Sequence, residues 1–369
     1  MTVNAAWNIR NFRMPLVQSF LAAGHRVTVL APHDDAVAAL QAAGCDVQAL
    51  QMDVKGLNPV RDLGLGLRLR RHFRAARPDV ILGFTIKNNL FGALAAKTLG
   101  IPFIPNVTGL GTAFLSGGLL QAVAETLYRR AFAGLPVVFF QNEDDRALFV
   151  QRWLVRADQT RLLPGSGIDL AHFSAAPWPA PTGETVFLMI ARLLRDKGVV
   201  EYVEAARKVK ARHPEARFQL LGPIAADNRS AIAAETLDEW VAEGVIDYLG
   251  STADVRPMIA AAQCVVLPSY REGAPRTLIE AAALARPLIA TDVPGCRAVV
   301  QRDRSGFLCA PRDARSLADA IERLLALPTD ARMAMGQAAR AHMERDYDQK
   351  LVVAAYRQAI AQVTKARTG

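Results

Sequence analysis

Pro164-Gly-Ser-Gly-Ile-Asp-Leu-Ala-His-Phe-Ser-Ala-Ala-Pro-Trp-Pro-Ala-Pro-Thr-Gly-Glu184 holds four prolines and three glycines and keeps neither a helical nor a strand period. Proline removes a backbone donor and glycine admits left-handed backbone, so the stretch reads as a linker. On each side of it, short apolar β-branched runs alternate with amphipathic helical stretches, the pattern of a parallel α/β sheet. Before the linker, RVTVLAP (26–32), DVILGFT (79–85), PFIPNVT (102–108) and VVFFQN (137–142) read as buried strands. Helices are expected at Met14–Ala23, Asp35–Ala43, Pro59–Arg74, Leu90–Leu99 and Leu119–Ala133. After it, strands are expected at TVFLMIAR (185–192), RFQLLGP (217–223), VIDYLG (245–250), CVVLPSY (264–270) and PLIATD (287–292).

The chain has 369 residues, enough for two domains of ordinary size. The expected division is 1–165 and 166–348, with a last amphipathic helix at about 349–369 crossing back to the first domain. Two doubly wound, Rossmann-like halves joined at a Pro/Gly hinge should face a central cleft, where ligands commonly bind. Only MTVNA precedes a polar segment, so either the opening strand is short or the chain begins a few residues late.

Apolar residues make up 51% of the chain and charged residues 21%, ordinary globular values, and no run approaches the roughly 20 apolar residues of a membrane span. The first residues hold no apolar run before Arg10, hence no signal-peptide core, and a cytoplasmic location is expected. Cys45, Cys264, Cys296 and Cys309 form no CxxC pair, and the six histidines make no HxxxH or HExxH pattern, so no metal cage is expected. Cys264 opens a strand and reads as core.

Of the formal charge of +9, residues 1–165 hold +7 (18 basic against 11 acidic) and residues 166–369 hold +2 (26 against 24). Arg61, Arg68, Arg70, Arg71, Arg74 and Arg77 concentrate the excess around one expected helix. A solvated face fits this run, and so does docking on an anionic membrane surface, where each basic residue adds on the order of 1 kcal/mol. Nucleic acid fits less well, since no zinc, helix-turn-helix or aromatic RNA-binding signature accompanies the charge.

Ser269-Tyr-Arg-Glu-Gly-Ala-Pro-Arg-Thr-Leu-Ile-Glu280 follows a strand and enters a small-residue helix near Pro275. A helix starting after Gly273 would aim its first backbone N–H groups and positive dipole end into the cleft, which suits a phosphate or sugar oxygens. Glu280 sits among Leu278, Ile279, Ala281, Ala282 and Ala283, where a carboxylate costs several kcal/mol unless donors satisfy it. A ribose diol supplies two such donors. The run MIAR192-LLRDK197 places Arg192 and Lys197 at a strand's carboxyl end, a fork and a point charge suited to a diphosphate.

In these residues the chain resembles the retaining GT-B glycosyltransferases of family 4. The resemblance runs over nearly the whole chain and is carried by Phe12-Arg-Met-Pro15, Asn58-Pro59, Val107-Thr-Gly-Leu-Gly111, Arg192 with Lys197, Tyr248-Leu-Gly250, and Glu272 with Glu280. It looks closest to the bacterial branch that builds lipid-linked or lipopolysaccharide glycans, the N-acetylhexosaminyltransferases among them. The resemblance implies that Arg192 and Lys197 hold the donor diphosphate and stabilise it as it leaves. It gives Glu280 the ribose, and Glu272 with Gly273 and Ala274 the hydroxyls of the transferred sugar. Gly250, Ser251 and Thr252 would border the base. The donor would be a UDP-sugar, transferred with retention and without a metal or other cofactor, to a polyprenyl-diphosphate-linked or lipopolysaccharide acceptor. The first domain would take that acceptor through Arg13, Lys87, Asn89, Thr108, Gly109 and Gly111. The enzyme would lie peripherally on the inner face of the cytoplasmic membrane.

Many relatives carry His or Glu where this chain has Thr108, and a hydroxyl is no base near neutral pH, so no base role passes to it. Gly109 and Gly111 lack the third glycine and the acidic residue of a dinucleotide fingerprint. Two other readings share the architecture: a nucleotide-sugar epimerase, and a non-catalytic two-lobed sugar-binding protein. The first would need acid and base groups from both halves. The second would not need diphosphate-binding cations.

Overall fold

The computed structural model describes residues 1–54, 59–110, 118–224, 228 and 230–368. It divides into two compact units, Met1–Gly167 with Gln349–Gly369, and Ile168–Asp348.

In the first unit, strands β1 (Thr28–Ala31) and β2 (Asp46–Ala49) pair in parallel, and so do β3 (Ile81–Phe84), β4 (Phe103–Val107), β5 (Val138–Phe140) and β6 (Thr160–Leu162) in that order. Thr2 bridges both Leu30 and Gly83 in parallel, and its N–H donates to Leu82 O at 2.9 Å. Thr2 thus joins the two sets of strands. Side chains alternate across a strand, so each strand feeds two cores. Leu82, Phe84 and Phe139 pack on one face with Ile9, Leu16 and Tyr356. Ile81, Phe103 and Phe140 pack on the other with Leu65, Leu69 and Phe132. Tyr356 comes from the last helix, Gln349–Thr368, which belongs to this unit.

The helix expected at Leu90–Leu99 begins earlier and spans Ile86–Lys97, so Lys87, just past the end of β3, and Asn89 lie in its first turns. The apolar period begins only at Leu90 because Asn88 and Asn89 precede it, yet both asparagines are buried. Asn88 donates to Thr2 Oγ1 and Asn89 to Asn106 O, each at 2.8 Å, which offsets their desolvation.

The second unit holds six parallel strands in the order β12-β11-β10-β7-β8-β9, where β7 is Thr185–Ile190, β8 Ala216–Leu221, β9 Asp247–Tyr248, β10 Cys264–Leu267, β11 Leu288–Thr291 and β12 Gly306–Cys309. Phe187, Met189, Val266 and Ile289 face one core, while Leu188, Val265, Leu267 and Leu288 face the other. From β7 the chain winds outward through β8 and β9, then returns to β10 on β7's other side and winds the opposite way. Cys264 pairs with Phe187 at that reversal and is fully buried. In open parallel sheets this switch point leaves a crevice beyond the strands' carboxyl ends.

Candidate functional site

Arg192 and Lys197 follow β7, and the segment 269–280 follows β10, so both flank the switch point of the second unit. Two close backbone approaches hold them there. Gly198 has φ +77°, and a Cβ on it would meet Pro268 O at 2.1 Å, so only glycine lets the β7 loop lie on the β10 loop. The Tyr270 N–H donates to Asp196 O at 3.0 Å, and the Tyr270 hydroxyl to Glu201 at 2.7 Å. The helix Arg276–Ala283 is tied to the same strand, for Thr277 Oγ1 donates to Ile190 O at 3.1 Å.

These ties bring Lys197 and Glu272 together. Nζ of Lys197 lies 2.5 Å from Glu272 Oε1, both groups partly buried. Gly295 packs beneath them with φ +81°, where an added Cβ would stand 2.6 Å from the carbonyl oxygens of Glu272 and Gly273. Cys296 is fully buried, and burial first, then nearby Glu272, pushes its thiol up, so it stays a neutral core group. The side chain of Arg192 is exposed and makes no hydrogen bond or ion pair among the described residues.

Glu280 is only 9% exposed. Burial raises its carboxyl above the ordinary range, partly offset by Arg276, whose Nε lies 2.6 Å from Oε1. Gly250 closes β9 at φ +70°, and its carbonyl accepts from Gly222 N–H at 2.7 Å. Gly222 in turn lies against Ala191, where a Cβ would meet the carbonyl oxygen at 1.8 Å. The loop of Gly250, Ser251 and Thr252 is thereby fixed beside the end of β7, with Ser251 and Thr252 exposed. Thr252 Oγ1 caps the following turn through Asp254.

The segment after Ile168 belongs to this site. Arg340 donates to the carbonyl oxygens of Phe173 and Ala283 at 2.6 and 2.7 Å. Arg286 is 1% exposed and donates to the carbonyls of Ala176, Pro177, Ile259 and Ala260. Burial lowers its guanidinium to about 10. With the strap so fixed, His172 comes near enough to Glu280 to influence its ionisation and accepts a bond from Arg256, itself forked onto Asp254. A cation and two acids beside one switch-point crevice can bind a phosphorylated, hydroxyl-rich molecule. Among the described residues no group of three His, Cys, Asp or Glu is drawn together as for a metal ion.

In the first unit, Arg13 is 4% exposed, donates to Phe12 O at 2.9 Å and lies 4.9 Å from the Phe84 ring centroid. Lys87 Nζ bonds Asp62 Oδ1 at 2.6 Å and Asp53 O at 2.8 Å. Asn89 is buried on Asn106, whereas Thr108 and Gly109 are half-exposed after β4. Gly111 lies outside the described residues, as does Asn58.

A family model described as "Glycosyl transferases group 1" matches residues 173–342, and one described as "Glycosyl transferase 4-like domain" matches residues 9–165. The chain is 28% identical over 370 residues, 96% of its own length and 95% of the relative's, to the N,N'-diacetylbacillosaminyl-diphospho-undecaprenol alpha-1,3-N-acetylgalactosaminyltransferase of Campylobacter jejuni. Among solved structures it superposes on Anabaena Alr3699/HepE, in complex with UDP and glucose, with TM-score 0.77 and 18% identity over 98% of each chain. Sucrose-phosphate synthase of Thermosynechococcus elongatus gives 0.76 at 21% identity, covering 95% and 92%. The chain is a GT-B glycosyltransferase of family 4. It is also 23% identical over 284 residues, 73% of this chain and 72% of the relative, to a UDP-Gal:alpha-D-GlcNAc-diphosphoundecaprenol alpha-1,3-galactosyltransferase of Escherichia coli.

Several groups of this glycosyltransferase's site were not singled out from its sequence: Arg276, His172, Asp254, Arg256 and Gly295. Arg276 carried a signal, standing four residues before a buried acid on the same helix. Gly295 carried only the Pro-Gly pair of a turn. His172 and Arg256 are 84 residues apart, and nothing local joins them.

Proposed function

We propose that the enzyme moves an N-acetylhexosamine or related amino sugar from a UDP-sugar, with retention and without a metal, to a polyprenyl-diphosphate-linked or lipopolysaccharide acceptor. The observation that carries this reading is the end-to-end likeness to a transferase named for a diphospho-undecaprenol acceptor and N-acetylgalactosamine. A second relative is named for UDP-Gal and a diphosphoundecaprenol acceptor. In this reading Arg192 and Lys197 neutralise the departing diphosphate. Glu280 accepts from the ribose diol, Glu272 with Gly273 and Ala274 grips the sugar, and Gly250, Ser251 and Thr252 border the base. Arg13, Lys87, Asn89, Thr108, Gly109 and Gly111 belong to the acceptor side.

No helix among the described residues is long and apolar enough to cross a membrane. Attachment is peripheral in this reading, through the helix Pro59–Ala76, where Leu63 and Leu67 are 66% and 63% exposed between arginines. The test is a panel of UDP- and GDP-sugars with a diphospho-undecaprenol-linked saccharide, with and without EDTA, and the product's anomeric configuration read by NMR. Transfer from a UDP-amino sugar with retention and EDTA resistance is expected. Inversion, strict metal dependence, or donor turnover without acceptor would defeat the reading.

A further inference from the structure

Arg276 stands one helical turn before Glu280, and its side chain is 35% exposed against 12% for the acid. An exposed pair at this spacing is worth about 0.3–0.5 kcal/mol. Here one partner is buried among Leu278, Ile279, Ala281, Ala282 and Ala283, so the pair does something else. A buried carboxylate that loses its cation takes up a proton and loses acceptor capacity. We infer that Arg276 is a positioning residue of the donor site, holding Glu280 ionised and oriented so that a ribose diol meets a ready acceptor. This rests on the reading of Glu280 as the ribose ligand.

The groups around Glu280 leave this task to Arg276. His172 of the strap favours the carboxylate when protonated, and Asp254 of the loop after β9 opposes it. Asp254 is itself forked by Arg256. From the helix Thr329–Asp346, packed against that of Glu280, Arg340 is committed to Glu344 and to the carbonyls of Leu170, Phe173 and Ala283. From the turn Cys296–Val299, Arg297 is bonded to Asp292. Arg276 alone of these cations is within hydrogen-bond distance of Glu280 among the described residues.

The test is calorimetric binding of UDP-N-acetylglucosamine, whose diphosphate keeps one charge throughout, from pH 5.5 to 8.5. Wild-type affinity should be flat over this range. Arg276→Leu should bind normally at high pH and lose up to about tenfold per pH unit as the acid protonates. Arg276→Lys should restore most of the flat profile. The slope should persist in Arg276→Leu/His172→Asn, which separates it from the histidine. Glu280→Gln should bind weakly at every pH. A uniform loss or no loss in Arg276→Leu, with Glu280→Gln still weak, overturns the inference and spares the donor reading. Wild-type binding by Glu280→Gln overturns both.

Discussion

Lys197 Nζ and Glu272 Oε1 are 2.5 Å apart, though 75 residues separate them in the chain. The contact exists because β7 and β10 are neighbours and their loops are laced by Gly198 on Pro268 and by the bond from Tyr270 to Asp196. Each charge shields the other. In the proposed reading a donor takes both, diphosphate to the lysine and hydroxyls to the acid, and meets groups already aimed.

Lys197→Ala and Glu272→Gln should therefore each lower kcat/KM by about a hundredfold. The double variant should fall by less than the product, with a coupling of about 1–3 kcal/mol. Strict additivity in steady-state kinetics would show that the pair does not act as a unit.

Gly295→Ala tests whether backbone packing sets the Glu272 loop. The new Cβ would press on the carbonyls of Glu272 and Gly273 at 2.6 Å, at φ +81° and ψ −52°, outside the left-handed helical well, which costs an alanine on the order of 1–3 kcal/mol. A displacement near 1 Å can cost about a hundredfold in rate, so kcat should fall at least tenfold, roughly, while nucleotide affinity changes less. Crystallography or exchange protection of residues 270–274 would locate the shift.

Glu280→Gln should trade activity for stability. Burial raises the folded-state pKa of Glu280 above its unfolded value, so across that window the folded chain holds more protons than the unfolded one. Stability then falls as pH rises through the window, and the contribution is fully adverse above the folded pKa. The amide removes this slope. Urea unfolding should give the variant a gain on the order of 1 kcal/mol at pH 8, fading towards pH 4, alongside loss of nucleotide binding.

Arg286→Met should release the strap. The side chain is enclosed and serves the carbonyls of Ala176, Pro177, Ile259 and Ala260, which a thioether leaves unsatisfied. A loss of about 3 kcal/mol or more is expected, with new protease cleavage near 173–178. Unchanged cleavage would mean the strap is held by other contacts.

What could be read from the sequence follows from where each strand lies. Central strands such as β7 and β10 are covered on both faces and appear as unbroken apolar runs. β2, β6 and β12 lie at sheet edges and were not anticipated: Asp46–Ala49 is half-exposed, Thr160–Leu162 is three residues long, and Gly306–Cys309 starts on a glycine. Glu280 stood out because a glutamate among alanines and leucines is costly, whereas Glu272 entered only through the family resemblance. The positions of Arg276, His172 and Gly295 relative to those acids depend on contacts that no local period encodes. Buried Asn88 and Asn89 hid a helix start for the same reason, since their partners Thr2 and Asn106 lie elsewhere in the chain.

The helix Pro59–Ala76 supplies the last prediction. Leu65, Leu69 and Phe73 turn inward, while Leu63 and Leu67, one turn apart, stand in solvent. The same helix carries Arg61, Arg68, Arg70, Arg71 and Arg74. Exposed leucines interleaved with arginines suit an anionic lipid surface, where the charges attract over a Debye length and the leucines add short-range burial. Leu63→Ser/Leu67→Ser should weaken co-sedimentation with vesicles containing phosphatidylglycerol at every salt concentration. Arg71→Gln/Arg74→Gln should weaken it at low salt by about 2 kcal/mol and flatten the salt dependence. Activity on a short, water-soluble acceptor should stay at the wild-type level in both variants. Wild-type sedimentation by the leucine variant would show that this face does not dock.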